Sequence, residues 1–112
     1  MRIKHDKPMY VIIWEYQAKA DLVIDFEKTY STSGEWAKLF KQGEGFLGTE
    51  LLRDEKYPHR YITIDRWVSS KDYETFLSQW KTEYAVLDAQ CETLTEQETL
   101  LGEWESIPPE IR

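Results

Sequence analysis

Residues 60–73, RYITIDRWVSSKDY, decide the fold. Tyr61, Thr63, Asp65 and Trp67 alternate with Ile62, Ile64, Arg66 and Val68, the two-residue period of a strand whose faces meet different surroundings. The second set is largely aliphatic. The first is aromatic and polar, which suits the wall of a cavity better than the inside of a plain core. Ser69 and Asp72 follow at capping-box spacing, so the strand Arg60–Val68 leads straight into a helix.

Downstream, Tyr73, Phe76, Leu77, Trp80, Tyr84, Leu87 and Cys91 recur at helical spacing and predict one helix from Ser70 into the low nineties. Glu92–Glu98 reads as an acidic connection, and Thr99–Ile107 as a last strand ended by Pro108 and Pro109. Upstream, Phe46–Arg53 is a strand, joined to Arg60 by the loop Asp54–His59. Met9–Ala18 (MYVIIWEYQA) carries large apolar groups on both faces, so it is a central strand covered on both sides. Between these strands lie a helix over Ala20–Tyr30 and a short one through Trp36, Leu39 and Phe40. Thr32 and Glu35 are spaced to cap the short helix, and Gly43 and Gly45 stop it. Residues 1–8 read as a leader, 9–107 as one domain and 108–112 as a tail.

The order strand, helix, strand, strand, helix, strand is the α+β, ferredoxin-like βαββαβ arrangement of a four-stranded antiparallel sheet. Right-handed crossovers put the helices on one sheet face. The other face, with Val11, Ile13, Ile62 and Ile64, is then open and aliphatic, an interaction surface. A homodimer whose sheets face each other, a dimeric α+β barrel, covers it. Glu15 and Arg66 fall on that side of adjacent strands and are expected to form a salt bridge that sets the register of the dimer.

Fourteen basic and 21 acidic residues leave a net charge of −7, which repels the phosphates of nucleic acid and of anionic membranes. The single cysteine, Cys91, excludes an internal disulfide and fits a reducing cytoplasm. It sits on the apolar face of the second helix, as a small core residue would. The apolar run Met9–Trp14 is too short for a membrane span. Aromatic residues reach 14%, with five tryptophans and seven tyrosines, enough to build a core from rings or to line a cavity for a flat ligand. No glycine-rich phosphate loop is present, and His59 with Asp54 and Glu55, a histidine and carboxylates mixed in one hairpin, is weak evidence for a metal site.

From Met9 to Ile107 the chain resembles the antibiotic biosynthesis monooxygenase family of dimeric α+β barrels. The resemblance rests on VIIWEYQAKAD, GFLGTELLRD, YITIDRWVSSKDY and the Trp67-Val68-Ser69 turn. It implies a cofactor-independent oxygenase of a small aromatic or quinol-like substrate, working without metal, haem or flavin. In such members a tryptophan ends strand three, with an asparagine four residues before it and a tyrosine six residues after it. An arginine late in the second helix completes the set. Trp67 and Tyr73 match; the asparagine position is Thr63 in a chain without asparagine, and the arginine position falls near Leu87. The haem-degrading branch uses a helical histidine, whereas the histidines here are His5 in the leader and His59 in the hairpin.

On this reading Trp67 and Tyr73 orient the ring, Thr63 donates a hydrogen bond, and Asp65 or Tyr16 is the base or proton relay. Trp14, Tyr16, Tyr61, Trp80 and Tyr84 complete the substrate wall. Asp65, facing inward beside tryptophans, needs a partner or a shifted pKa, and an arginine or lysine at the rim is the expected partner. The rival is a non-catalytic dimeric barrel that binds an apolar metabolite or serves as an accessory subunit. A cavity of roughly 300 Å³ or more lined by Thr63, Asp65, Trp67 and Tyr73 favours a ligand, and a closed, filled layer favours the rival.

Overall fold

A computed structural model describes residues 7–109; most of the leader, His5 included, and the last three residues of the tail lie outside them. The elements are β1 (Tyr10–Ala18), α1 (Val23–Tyr30, entered through a 3-10 turn at Ala20–Leu22), α2 (Glu35–Phe40), β2 (Phe46–Arg53), β3 (Arg60–Trp67), α3 (Ser70–Gln79), α4 (Lys81–Cys91) and β4 (Thr95–Glu105). The sheet has the order β2-β3-β1-β4, all neighbours antiparallel, which is the ferredoxin-like topology. β1 and β3 are the inner strands, and both carry bulky apolar residues on their two faces.

Register follows from the alternation in β3. Tyr61, Thr63, Asp65 and Trp67 are all buried under the helices, while Arg60, Ile62, Ile64 and Arg66 are half-exposed on the open face. A slip by one residue would exchange the two sets, so the pairing has a single solution. Trp67 is wholly buried where β3 meets α3, its ring against Phe40, Phe46, Tyr73 and Phe76 at centroid distances of 5.2–5.9 Å. Ser69 caps α3 as its spacing predicts, its hydroxyl accepting from the Asp72 amide at 3.1 Å. The turn before β2 closes on the same junction. Gly45 there has φ +90°, and a Cβ on it would stand 2.4 Å from Asp72 Oδ2, so only glycine fits.

Four expectations are corrected. The second long helix breaks at Trp80, whose φ/ψ of −114°/27° is not helical. The hydrogen-bond ladder still crosses the break, Trp80 donating to Phe76 and accepting from Tyr84, so α3 can pack on β3 while α4 turns onto α2. Gly34, not Thr32, is the N-cap of α2, and no side chain bonds to that end. β4 starts at Thr95, four residues earlier than expected, because Thr95 is buried opposite Ala18 and the acidic residues after it tolerate a half-exposed edge strand.

The fourth correction concerns Glu15 and Arg66, which do not pair. Glu15 lies opposite Ile62 and Arg66 opposite Val11, four residues apart along the strands. Glu15 instead meets its diagonal neighbour Arg60, which also holds Asp54 at 2.5 Å, and Arg66 holds Glu50 at 2.5 Å.

The cap at the strand–helix junction is open to a direct test. Ser69→Ala should lower the unfolding free energy by about 1 kcal/mol and Ser69→Asp by only a few tenths, read from urea denaturation. Equal losses for the two variants would show that the cap contributes nothing.

Candidate functional site

Between the helix-facing side of the sheet and α1, α2, α3 and α4 lies a cavity of about 220 Å³. Trp14 and Tyr16 enter it from β1, Thr49 from β2, and Thr63 and Asp65 from β3. Tyr30, Trp36 and Phe40 come from the first two helices, and Tyr73, Tyr84 and Asp88 from the last two. Glu92 and Glu98 stand where α4 hands over to β4. The rings form a connected wall: Trp14–Tyr16, Tyr16–Tyr30, Tyr30–Trp36 and Trp36–Tyr84 have centroid separations of 6.5, 4.8, 6.3 and 5.0 Å.

Asp65 is the chemical centre of this wall. It is 7% exposed, and Thr49, its cross-strand partner, donates its hydroxyl to Oδ1 at 2.5 Å. The expected arginine or lysine partner is not there; among the described residues Asp65 bonds to Thr49 alone and forms no ion pair. Burial therefore pushes its carboxyl up to about 6, with the Thr49 hydroxyl holding it back somewhat. The result is a group that exchanges a proton near neutral pH.

The tyrosines do the opposite. Burial raises Tyr16, Tyr30 and Tyr84 well above the ordinary phenol range and Tyr73 to about 12, so all four stay protonated donors. A phenol held protonated in this way suits the relay role of Tyr16 better than that of the base. Thr63 donates to the Tyr16 hydroxyl at a long 3.4 Å.

Six of the nine expected residues, Trp14, Tyr16, Thr63, Asp65, Tyr73 and Tyr84, face one cavity. Three do not. Trp67 lies beneath the wall, covered by Tyr73 and the phenylalanines. Tyr61 packs on Phe26 and donates to Glu27 at 2.5 Å, a carboxylate that also pairs with Arg53, so it anchors α1 instead. Trp80, at the helix break, opens onto a surface groove between α2 and α4 together with Leu87, outside the cavity. His59 sits in the hairpin with φ +66° and Cys91 is buried; neither lines the cavity.

Sequence reasoning missed Thr49, Asp88, Glu92 and Glu98, and placed Tyr30, Trp36 and Phe40 on helices without assigning them to the site. Two signals were available. Thr49 shares a face with Leu51 in β2, and Asp88 follows Tyr84 by one helical turn.

A family model described as antibiotic biosynthesis monooxygenase matches residues 9–79. A putative antibiotic biosynthesis monooxygenase from Nitrosomonas europaea superposes with a TM-score of 0.68 at 14% identity, over 97% of this chain and 98% of that one. SnoaB, a cofactor-independent oxygenase from Streptomyces nogalater, gives 0.62 at 17% identity over 92% and 100%. A variant of MhuD with two manganese protoporphyrin IX bound per active site gives 0.67 at 22% identity over 92% and 99%. At these identities the structures share the fold. No curated protein sequence matches.

The unpaired burial of Asp65 has a measurable signature. Because its carboxyl rises from 3.8 unfolded to about 6 folded, the native state holds more protons between those values. Stability should therefore fall as pH rises from about 4 to about 6 and level off above. Asp65→Asn removes the cost. It should be more stable than the native protein above that window, by on the order of 2 kcal/mol, and lose its advantage below it. Parallel thermal melts across the window would detect this; a difference independent of pH would exclude the buried, unpaired carboxylate.

Proposed function

The chain belongs to the antibiotic biosynthesis monooxygenase family, and we propose that it is a cofactor-independent monooxygenase of a small aromatic or quinol-like substrate held in this cavity. The observation that carries the reading is Asp65, a carboxylate titrating near 6 inside a wall of rings. Such a group can take a proton from an activated phenol or from a methylene flanked by aromatic rings. The electron-rich anion left behind reduces dioxygen by one electron, and the two radicals join in a carbon–oxygen bond. The peroxide then loses the second hydrogen of that carbon and breaks its O–O bond, giving a carbonyl and water. In sum, a CH₂ group and O₂ become C=O and H₂O, with all four electrons that reduce O₂ coming from the substrate. The neutral phenols of Tyr16, Tyr73 and Tyr84 are donors for the oxyanion that develops, in place of the amide and guanidinium that Thr63 and Leu87 do not supply. A volume of about 220 Å³ suits one or two fused rings better than four.

The non-catalytic reading keeps one observation on its side. The cavity is smaller than the roughly 300–1,000 Å³ usual for ligand sites, and Trp67, the strongest family match, packs beneath it. Oxygen uptake separates the two readings. With anthrones and naphthoquinols, uptake above a protein-free control should saturate and rise with pH as Asp65 ionises. It should fall by about a hundredfold or more in Asp65→Asn. Rates equal to the control for every substrate would leave the binding barrel as the function.

We further propose a cytoplasmic homodimer joined through the open sheet faces. Val11, Ile13, Ile62 and Ile64 are half-exposed there, and Leu52 and Trp104 remain 42% and 54% exposed. Among the described residues no helix is long and apolar enough to cross a membrane. Analytical ultracentrifugation should return the mass of two chains, and Trp104→Arg, at a site exposed in the single chain, should shift it to one without altering the far-ultraviolet spectrum. A native protein sedimenting as one chain at micromolar concentration would rule the dimer out.

A further inference from the structure

We propose that the ligand of this cavity carries a positive charge: a small arylalkylammonium, with its ring among the aromatic side chains and its cation toward Asp65. The inference deepens the preceding reading and rests on it for taking the cavity as the substrate site. The cavity's charged lining is one-sided. Asp65 stands inside, Asp88, Glu92 and Glu98 stand around it, and none of the described lining residues is Lys, Arg or His.

Asp65 supplies an independent observation. It is 7% exposed and lines the cavity, yet its only bonded partner among the described residues holds Oδ1 and leaves Oδ2 without one. A buried carboxylate without a counter-charge is costly, and a ligand cation against Oδ2 would offset that cost. At the cavity edge Glu98 is raised by partial desolvation and then by the charges of Asp88 and Glu92, so the approach to the cavity is negative as well.

The rings select the type of cation. Trp14, Trp36 and Tyr84 line the same space, and an ammonium near an aromatic face is attracted by the ring quadrupole. A compact metal ion is disfavoured, because among the described residues no three His, Cys, Asp or Glu side chains converge as a ligand set. A diffuse organic cation with an apolar body needs no such convergence. The overall charge of −7 attracts cations and repels anionic rings.

The test is a calorimetric titration of the native protein with three probes of nearly one shape. These are benzyltrimethylammonium, its uncharged carbon isostere neopentylbenzene, and the anion phenylacetate. The ammonium should bind at least about tenfold more tightly than the isostere, and phenylacetate more weakly than either. Asp65→Asn should bring the ratio of ammonium to isostere to within about threefold while leaving the isostere's own affinity in place. Glu98→Gln, at the cavity edge, should lower the ratio by a smaller factor and checks the result should the first variant fold poorly.

Equal affinity for ammonium and isostere, a preference for phenylacetate, or no heat from the ammonium at millimolar concentration would each overturn the inference. Binding and turnover fail separately. Ammonium selectivity without oxygen uptake on any aryl substrate keeps this inference and removes the oxygenase. Uptake on neutral quinols without ammonium selectivity does the reverse.

Discussion

The structure depends on one buried ring. Trp67 closes β3, begins the turn into α3, and is covered by side chains from α2, β2 and α3. An indole at 0% exposure is among the largest burials a chain of 112 residues can make, and its removal would cost roughly 3–5 kcal/mol, a large part of a small domain's stability. Everything near the site is referred to it. The Ser69 cap sets the direction of α3, Gly45 allows the β2 turn to approach Asp72, and Tyr73 lies edge-on to the indole with its other side toward the cavity. The tryptophan therefore acts on the site by holding Tyr73 and the end of β3 in place.

A second constraint follows from which side chains β3 buries. Its alternation puts Thr63 and Asp65 on the same face as Tyr61 and Trp67, and a strand cannot turn one residue out without turning all four. Asp65 is thus held under the helices, with a threonine from the next strand as its only bonded partner among the described residues. In most folds a carboxylate so placed would meet an arginine. Arg60 and Arg66 lie on the other face, Arg60 bound to Glu15 and Asp54 and Arg66 to Glu50, and Arg53 at the end of β2 is held by Glu27 of α1. The shifted titration of Asp65 follows from its burial without a counter-charge.

The family match and the cavity coincide only in part. The family match covers 9–79, whereas Tyr84, Asp88, Glu92 and Glu98 of the cavity lie beyond it. Asp65 falls within the matched span and the other three acids beyond it, so the cavity draws its charge from both parts of the chain. Trp67 contributes packing and Asp65 the titratable group.

Period, caps and turns made the order of elements legible from the sequence, because each is set by neighbours within a few residues along the chain. The alternation in 61–68 located β3, Ser69 with Asp72 located the start of α3, and the glycines at 43 and 45 located the turn before β2. Six of the cavity residues were legible on the same basis, as the inward face of a strand or the stripe of a helix. The break at Trp80 was not, since the apolar stripe runs through it and only packing against two different layers bends the helix there. Nor was the pairing of Glu15 with Arg60 rather than Arg66, which depends on the register between strands 45 residues apart. The solitude of Asp65 belongs to the tertiary structure for the same reason. Local sequence sets which way a side chain points, but only the assembled fold decides what waits for it there.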